Sequence, residues 1–209
     1  MTTSRLEAFS DGVFAIAITL LILEIRIPET HGGAGLADEL RDLWPSYAAY
    51  AVSFFTIGIY WVNHHTLFDH IQRVNRPVLF LNLALLLCVS FIPFPTAVFA
   101  RFVREDDAGI AAAFYGLTAT VAGTLFFALW AYVATSEHLL AHEVHAGQRR
   151  RIVLSAIPGP ILYAATIGLS FINAPLTLAV HGLLALFWAL SGVSWPNHNE
   201  GVEPTPLAG

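Results

Sequence analysis

The sequence predicts an all-α, polytopic membrane protein. Of its 209 residues, 56% are hydrophobic and only 12% are charged, and the mean hydropathy is +0.64. A soluble domain usually carries about twice that charged fraction. Several apolar runs are also long enough to cross the hydrocarbon core of a bilayer, about 30 Å thick, as a helix. Together these observations predict a bundle of membrane-spanning helices.

Six apolar segments can be drawn along the chain, and each is a candidate transmembrane helix. They cover residues 7–27, 47–68, 77–99, 108–134, 152–172 and 176–193. No segment convincingly repeats another, so residues 1–195 are expected to form one six-helix membrane domain. Residues 196–209 are polar and contain proline, and they are expected to form a disordered tail.

Helix breakers separate these segments. Pro28 and the glycines at 32–33 end the first segment, since proline and glycine together interrupt a helix. Pro93 and Pro95 lie near the end of the third segment, and residues 173–175 (Asn-Ala-Pro) form a tight turn between the fifth and the sixth. These proline and glycine residues therefore predict short connections between antiparallel helices.

The arginines set the expected orientation, because basic residues are enriched on the cytoplasmic side of membrane proteins. With a cytoplasmic N-terminus, the inner segments hold Arg5, Arg73, Arg76, Arg149, Arg150 and Arg151. The outer loops then hold Arg26, Arg41, Arg101 and Arg104. We therefore expect a multi-pass protein of the cell membrane, in contact with lipid, with both termini in the cytoplasm.

Several function classes find no support in the sequence. The net charge of -5 and the lack of a basic patch argue against nucleic-acid binding. No Ser/His/Asp or Cys/His set has catalytic spacing, and no phosphate-binding loop is present, so the chain is not expected to be an enzyme. His138 and His142 are spaced for one helix face, but the zinc-protease pattern is absent. We expect a solvated face there, with no bound metal or cofactor.

The first segment has two distinct faces. At about 100° per residue, four large apolar side chains fall within about 40° of Phe9. This apolar stripe consists of Phe9, Ile16, Leu20, Leu23 and Ile27, with Gly12 and Thr19 beside it. Asp11 lies about 140° from Ile16 on the same wheel. An apolar stripe at this spacing is usually packed core, whereas a carboxylate inside a membrane helix needs a partner or water.

The second segment supplies candidate partners for that carboxylate. Asn63, His64 and His65 lie near its cytoplasmic end, at a depth similar to that of Asp11. We expect a hydrogen bond from Asp11 to His64 or His65, with Arg5 and Asn63 joining the network. Such a network is either a structural clamp or a proton relay, and the sequence leaves both open.

Two motifs resemble the prokaryotic members of the TMEM175 family of potassium channels. They are Arg5-x-x-x-Phe9-Ser10-Asp11 on the first segment and Trp61-x-x-His64-His65-x-x-Phe68 on the second. The resemblance implies a homotetramer of six-helix subunits whose pore is lined by the first helix. It also implies a narrow ring at Ile16, a hydroxyl position at Thr19 and further pore positions at Leu20 and Leu23. It assigns the residues Arg5, Phe9, Ser10 and Asp11 to a packing and hydrogen-bond network behind the pore.

The function that this resemblance implies is a potassium-permeable channel, with potassium ions as its only small-molecule partner. The chain has no Thr-Val-Gly-Tyr-Gly loop, so selectivity must come from partial dehydration at an apolar ring. The alternative is a proton-coupled secondary transporter that uses Asp11 with His64 or His65. An intramembrane enzyme is the least favoured class.

Overall fold

The computed structural model describes residues 3–28, 35–140, 150, 153–154 and 156–191. The expected tail at 196–209 and the histidines at 142 and 145 lie outside these residues. The secondary structure of these residues is helical. They contain no β-strand, and an isolated antiparallel β-bridge joins Ile71 to Leu140. The helices are α1 (Thr3–Leu20), α2 (Leu36–Asp42), α3 (Trp44–Asp69), α4 (Arg76–Phe91), α5 (Pro93–Phe102), α6 (Ala108–Thr135), α7 (Pro158–Ser170) and α8 (Ala174–Ser191). Single 3-10 turns follow α1 at Leu21–Glu24 and α6 at Glu137–Leu139.

Each predicted apolar segment contains a described helix, and three helical stretches are long and apolar enough to cross a bilayer. These are Thr3–Glu24, Arg76–Phe102 and Ala108–Thr135, while Ala174–Leu190 is a shorter apolar helix. The prediction of an all-α chain with membrane-spanning helices is therefore confirmed.

The third predicted segment is interrupted in the structure. It contains α4 and α5, which meet at Ile92, directly before Pro93. Proline has no N–H to continue the helical ladder, but it fits the first turn of a new helix. Asn75 begins α4 as its N-cap, since its side-chain oxygen accepts from the Val78 N–H at 3.1 Å. The two helices therefore follow each other with only Ile92 between them.

Two apolar clusters hold the helices together. The larger one joins α1, α3, α4 and α6 through fully buried side chains that include Phe14, Ile57, Leu85 and Trp130. The smaller one lies toward the opposite end and joins α3, α5, α6 and α8. In this arrangement α1 packs against both α3 and α4, and α6 packs against α4 and α7.

Small residues let α6 and α7 approach closely. A Cβ atom placed on Gly116 would lie 3.0 Å from the Thr166 Oγ1 atom and 3.4 Å from the Ile167 Cγ1 atom. Glycine at this crossing therefore permits a backbone separation that a larger residue would prevent. Close packing of this type is an important source of helix association in lipid, where burial of apolar surface gives little drive.

Candidate functional site

The first helix buries one face and leaves the apolar stripe exposed. Leu6, Ser10, Phe14 and Ala17 are buried against the neighbouring helices. On the other side, Ile16 is 61% exposed and Leu23 is 71% exposed. The other members of the stripe, Phe9, Leu20 and Ile27, are exposed as well. The packed-core interpretation of this stripe therefore does not hold within one copy of the chain.

A shallow apolar groove runs beside the stripe, between α1 and α4. Its volume is about 690 Å³. Its walls are formed on α1 by Phe9, Val13, Ile16, Ala17 and Leu20, and on α4 by Phe80, Leu83, Ala84, Leu86, Leu87 and Ser90. This α1–α4 groove and the stripe together make one continuous apolar surface on the described chain. Lipid tails or another copy of the chain match such a surface chemically.

Thr19 is the polar group beside the stripe. Its hydroxyl donates to the Ile16 carbonyl oxygen over 2.9 Å, and the side chain is exposed. Because the hydroxyl proton is used within the helix, the oxygen faces the surroundings as an acceptor. An acceptor one turn along from Ile16 is suited to contact a partly dehydrated cation.

A buried hydrogen-bond chain connects α1, α4 and α3. The Asn82 Nδ2 group donates to the Ser10 Oγ atom at 3.0 Å, and Ser10 in turn donates to the Leu6 carbonyl oxygen at 2.9 Å. The other end of the amide lies 2.8 Å from His64 Nε2. Since Asn82 Nδ2 is the donor, Oδ1 is an acceptor, and Nε2 must carry the proton. Ser10, His64 and Asn82 are all at most 1% exposed.

The partner of Asp11 differs from the expected one. The Trp61 Nε1–H group donates to the Asp11 Oδ1 atom over 2.9 Å, so the expected hydrogen bond to His64 or His65 is wrong. His64 is directed to Asn82, and His65 Nδ1 lies 2.9 Å from the Glu7 Oε1 atom. The cause is helix geometry, because Trp61 and His65 are one turn apart on α3 and face α1 together.

Two further residues of the expected network lie elsewhere. Arg5 is exposed at the start of α1, and Asn63 lines a small cavity with Tyr60, Trp130 and Trp188. Among the described residues, neither takes part in the hydrogen bonds between α1 and α3. Their role in that network therefore stays a prediction.

The hydrogen bonds favour a clamp over a proton relay. An indole N–H group donates only and has no lone pair with which to accept a proton. A proton on Asp11 therefore cannot pass through Trp61 to the histidines. His64 Nδ1 is buried and has no hydrogen-bond partner among the described residues, so its chain to Ser10 also ends there. The hydrogen bonds of Asp11 and Ser10 join α1 to α3 and α4.

Comparison with known proteins gives consistent matches over the whole site. A family model described as "Endosomal/lysosomal potassium channel TMEM175" matches residues 5–93, which include nearly all of α1 and the whole of α3 and α4. A Streptomyces collinus protein named a potassium channel is 49% identical over 204 residues, covering 97% of this chain and 98% of its own length.

One solved structure is similar over nearly the full chain. It is the crystal structure of a Chamaesiphon minutus protein described as a homologue of the lysosomal potassium-selective channel TMEM175. The TM-score is 0.82 at 40% sequence identity, with 90% of this chain and 97% of that chain covered. A human protein named an endosomal/lysosomal proton channel is 37% identical over 117 residues, which are 51% of this chain and 23% of the human protein.

Proposed function

The chain belongs to the TMEM175 family of ion channels, and from this premise we propose that it is a potassium-permeable channel with α1 lining its narrowest passage. The family consists of ion channels, which confirms the expectation that this chain is not an enzyme. The proposal includes the finer expectations for the pore residues, the homotetramer and the cell-membrane location with cytoplasmic termini.

The main observation in support of this proposal is the exposed apolar stripe on α1. One copy of the chain holds α1 firmly by its opposite face yet leaves Ile16, Leu20 and Leu23 uncovered. A fourfold axis parallel to α1 would bring four such stripes together, as closed rotational symmetry allows. The α1–α4 groove beside the stripe would then receive side chains of the neighbouring subunit. This arrangement explains why the stripe is apolar and why it is left open.

The proposed constriction acts by dewetting. A ring of Ile16 side chains can close to less than the width of a hydrated cation, and a narrow apolar ring expels water. Opening requires only a small rotation or outward tilt of α1. A potassium ion sheds part of its hydration shell to pass, and the Thr19 oxygens next to the ring are available to replace part of it. Moderate preference for potassium over sodium is the expected result.

The hydrogen bonds behind α1 support the proposed constriction. Ser10 is tied to Asn82 on α4, and Asp11 is tied to Trp61 on α3. These two hydrogen bonds start from different faces of α1. Together they would fix the rotation of α1 about its own axis. Rotation determines whether Ile16 points at the axis, and the polar residues therefore act as positioning residues.

A flux measurement with purified protein tests the proposal. Liposomes loaded with potassium and containing the protein should release it down its gradient in the absence of any proton gradient. Bi-ionic recordings in planar bilayers should give a modest potassium preference. A flux that saturates and requires an opposing proton gradient would instead establish the proton-coupled transporter.

A further inference from the structure

Three polar side chains meet at the boundary between the first turns of α1 and the last turn of α3. Glu7 comes from α1, and His65 and Asp69 come from α3, one helical turn apart. One possible ligand atom from each residue lies within 4.8 Å of the other two. This Glu7–His65–Asp69 cluster takes no part in the proposed pore or in the buried chain through Asn82.

The contacts of His65 decide which of its ring nitrogens carries a proton. The Nδ1 atom lies 2.9 Å from the Glu7 Oε1 atom. A carboxylate only accepts hydrogen bonds, so Nδ1 carries the hydrogen. In the neutral ring the Nε2 atom then has a free lone pair. It lies 3.9 Å from the Asp69 Oδ2 atom, which is too far for a hydrogen bond.

Two acceptors that face each other can be bridged by a cation, which is either a proton on Nε2 or a metal ion. Zinc binds imidazole nitrogen and carboxylate oxygen at about 2.0–2.2 Å. In the tetrahedral geometry that zinc prefers, two such ligands lie about 3.4 Å apart, so binding requires the 3.9 Å between Nε2 and Oδ2 to shorten by about 0.5 Å. The cluster also contains two acidic side chains, and negative charge attracts a divalent cation.

Contacts within the protein already orient the His65 imidazole ring without a bound metal. Trp61 stacks on it, with ring centroids 6.3 Å apart and planes 20° from parallel. Glu7 holds Nδ1 from the other helix. A histidine that binds a metal with one nitrogen usually donates its other N–H to a carboxylate, which fixes the tautomer and raises the basicity of the ligating nitrogen. The pair Glu7–His65 has this arrangement.

We propose that the cluster is a surface binding site for a transition-metal cation such as Zn²⁺. His65 Nε2 and Asp69 are its direct ligands, Glu7 orients the imidazole, and water completes the coordination shell. Imidazole selects zinc over calcium and magnesium, which take oxygen ligands. About half of the His65 and Asp69 side-chain surfaces are exposed, so solvent reaches the site. The proposal does not depend on the proposed pore.

The test is equilibrium dialysis of Zn²⁺ against the full-length protein in lipid nanodiscs, purified with a tag that contains no histidine. The Asp69→Asn and His65→Gln variants should each lose one zinc ion per subunit from the tighter class of sites, or bind it at least tenfold more weakly. Glu7→Gln keeps an oxygen acceptor for Nδ1–H and should weaken binding by about tenfold, as loss of a supporting carboxylate does.

Matched controls are Asp38→Asn, which removes an exposed carboxylate from α2, and His138→Gln, which removes an exposed imidazole after α6. Both should bind zinc as the parent does. Anomalous diffraction at the zinc edge should then place the ion beside Nε2 of His65. Unchanged binding by Asp69→Asn and His65→Gln, each still monodisperse, overturns the proposal. An equal loss in the control variants overturns it as well.

Discussion

The Asn82 side chain on α4 donates from Nδ2 to the Ser10 Oγ atom on α1 at 3.0 Å, and 72 positions separate the two residues in the chain. The same amide accepts from His64 on α3 through its oxygen. One side chain therefore joins three helices in an apolar environment where water is not available to replace it. A buried amide that is paired at both its nitrogen and its oxygen fixes the relative positions of the helices it connects.

Replacing Asn82 by leucine should destabilise the protein. The change leaves the His64 Nε2–H group without an acceptor and Ser10 without its donor. A buried donor that loses its partner costs about 1–3 kcal/mol. Thermal unfolding of the protein in detergent should show a clearly lower midpoint for Asn82→Leu. Thr124→Ala on α6 is the control, since Thr124 is exposed and its hydroxyl donates to the Thr120 carbonyl oxygen of its own helix. Equal midpoints for the two variants would contradict the assigned role of Asn82.

Replacing Asp11 by alanine should impair assembly or stability before it alters ion preference. The variant leaves the Trp61 N–H group without its acceptor, whereas Asp11→Asn retains an oxygen at nearly the same place. We expect Asp11→Ala to reduce the assembled fraction in size-exclusion chromatography more than Asp11→Asn does. Asp38→Ala, at an exposed position on α2, should behave as the parent does. A normally assembled Asp11→Ala channel with altered selectivity would place Asp11 in the ion path.

The positions of the apolar helices could be predicted from the sequence because they depend on local composition. The apolar segments marked the helices, and the spacing of Ile16, Leu20 and Leu23 identified a single face of α1. The structure adds the fact that this face is exposed. A helical wheel reports which residues share a face, but it does not report what covers that face.

The hydrogen-bond partners of the polar residues could not be predicted in this way. Asp11 could be placed at the depth of the histidines, but depth leaves the rotation of α3 undetermined. The structure shows that His64 turns toward α4 while Trp61 faces Asp11. Asn82 was missed altogether, although an amide within a long apolar run was a signal available in the sequence. A polar group at such a position needs a partner from another helix.

Enlarging Gly116 should separate α6 from α7. A valine side chain there would begin 3.0 Å from the Thr166 Oγ1 atom, so either α7 or Thr166 must move. Overpacking of this kind typically costs about 1–3 kcal/mol. Gly116→Val should therefore lower the thermal midpoint in detergent. Gly168→Val on α7 is the control, because nothing lies within 4 Å of a Cβ placed there. A stable Gly116→Val protein would show that the close crossing is not needed.

Replacing Ile16 by asparagine should hydrate the proposed constriction. A polar amide holds water in a ring that an isoleucine keeps dry. We expect potassium flux into liposomes to rise severalfold and the preference over sodium to fall. Ile110→Asn on α6 is the control, since Ile110 is 63% exposed, close to the 61% of Ile16, but lies on another helix. Unchanged currents in Ile16→Asn would remove this residue from the ion path.

A cysteine at Leu23, in the 3-10 turn that follows α1, should report which face of this first helical stretch lines the pore. The background is Cys88→Ala, because Cys88 is the only cysteine in the sequence. Leu23 belongs to the apolar stripe and lies beyond Ile16 on the proposed outer side, where a water-soluble thiol reagent can reach it. Modification of Leu23→Cys by a bulky cationic reagent should block most of the potassium flux.

The matched variant is Ile22→Cys, one position earlier in the chain. Ile22 is also exposed, but in the 3-10 turn Leu21–Glu24 it points about 120° away from Leu23. The same reagent should leave the flux of Ile22→Cys nearly unchanged, since a group added there projects away from the proposed axis. Block of both variants, or of Ile22→Cys alone, would mean that a different face of α1 lines the pore. Comparing the two cysteine variants therefore shows which face of this helix points at the ion path, and not only that the helix lies near it.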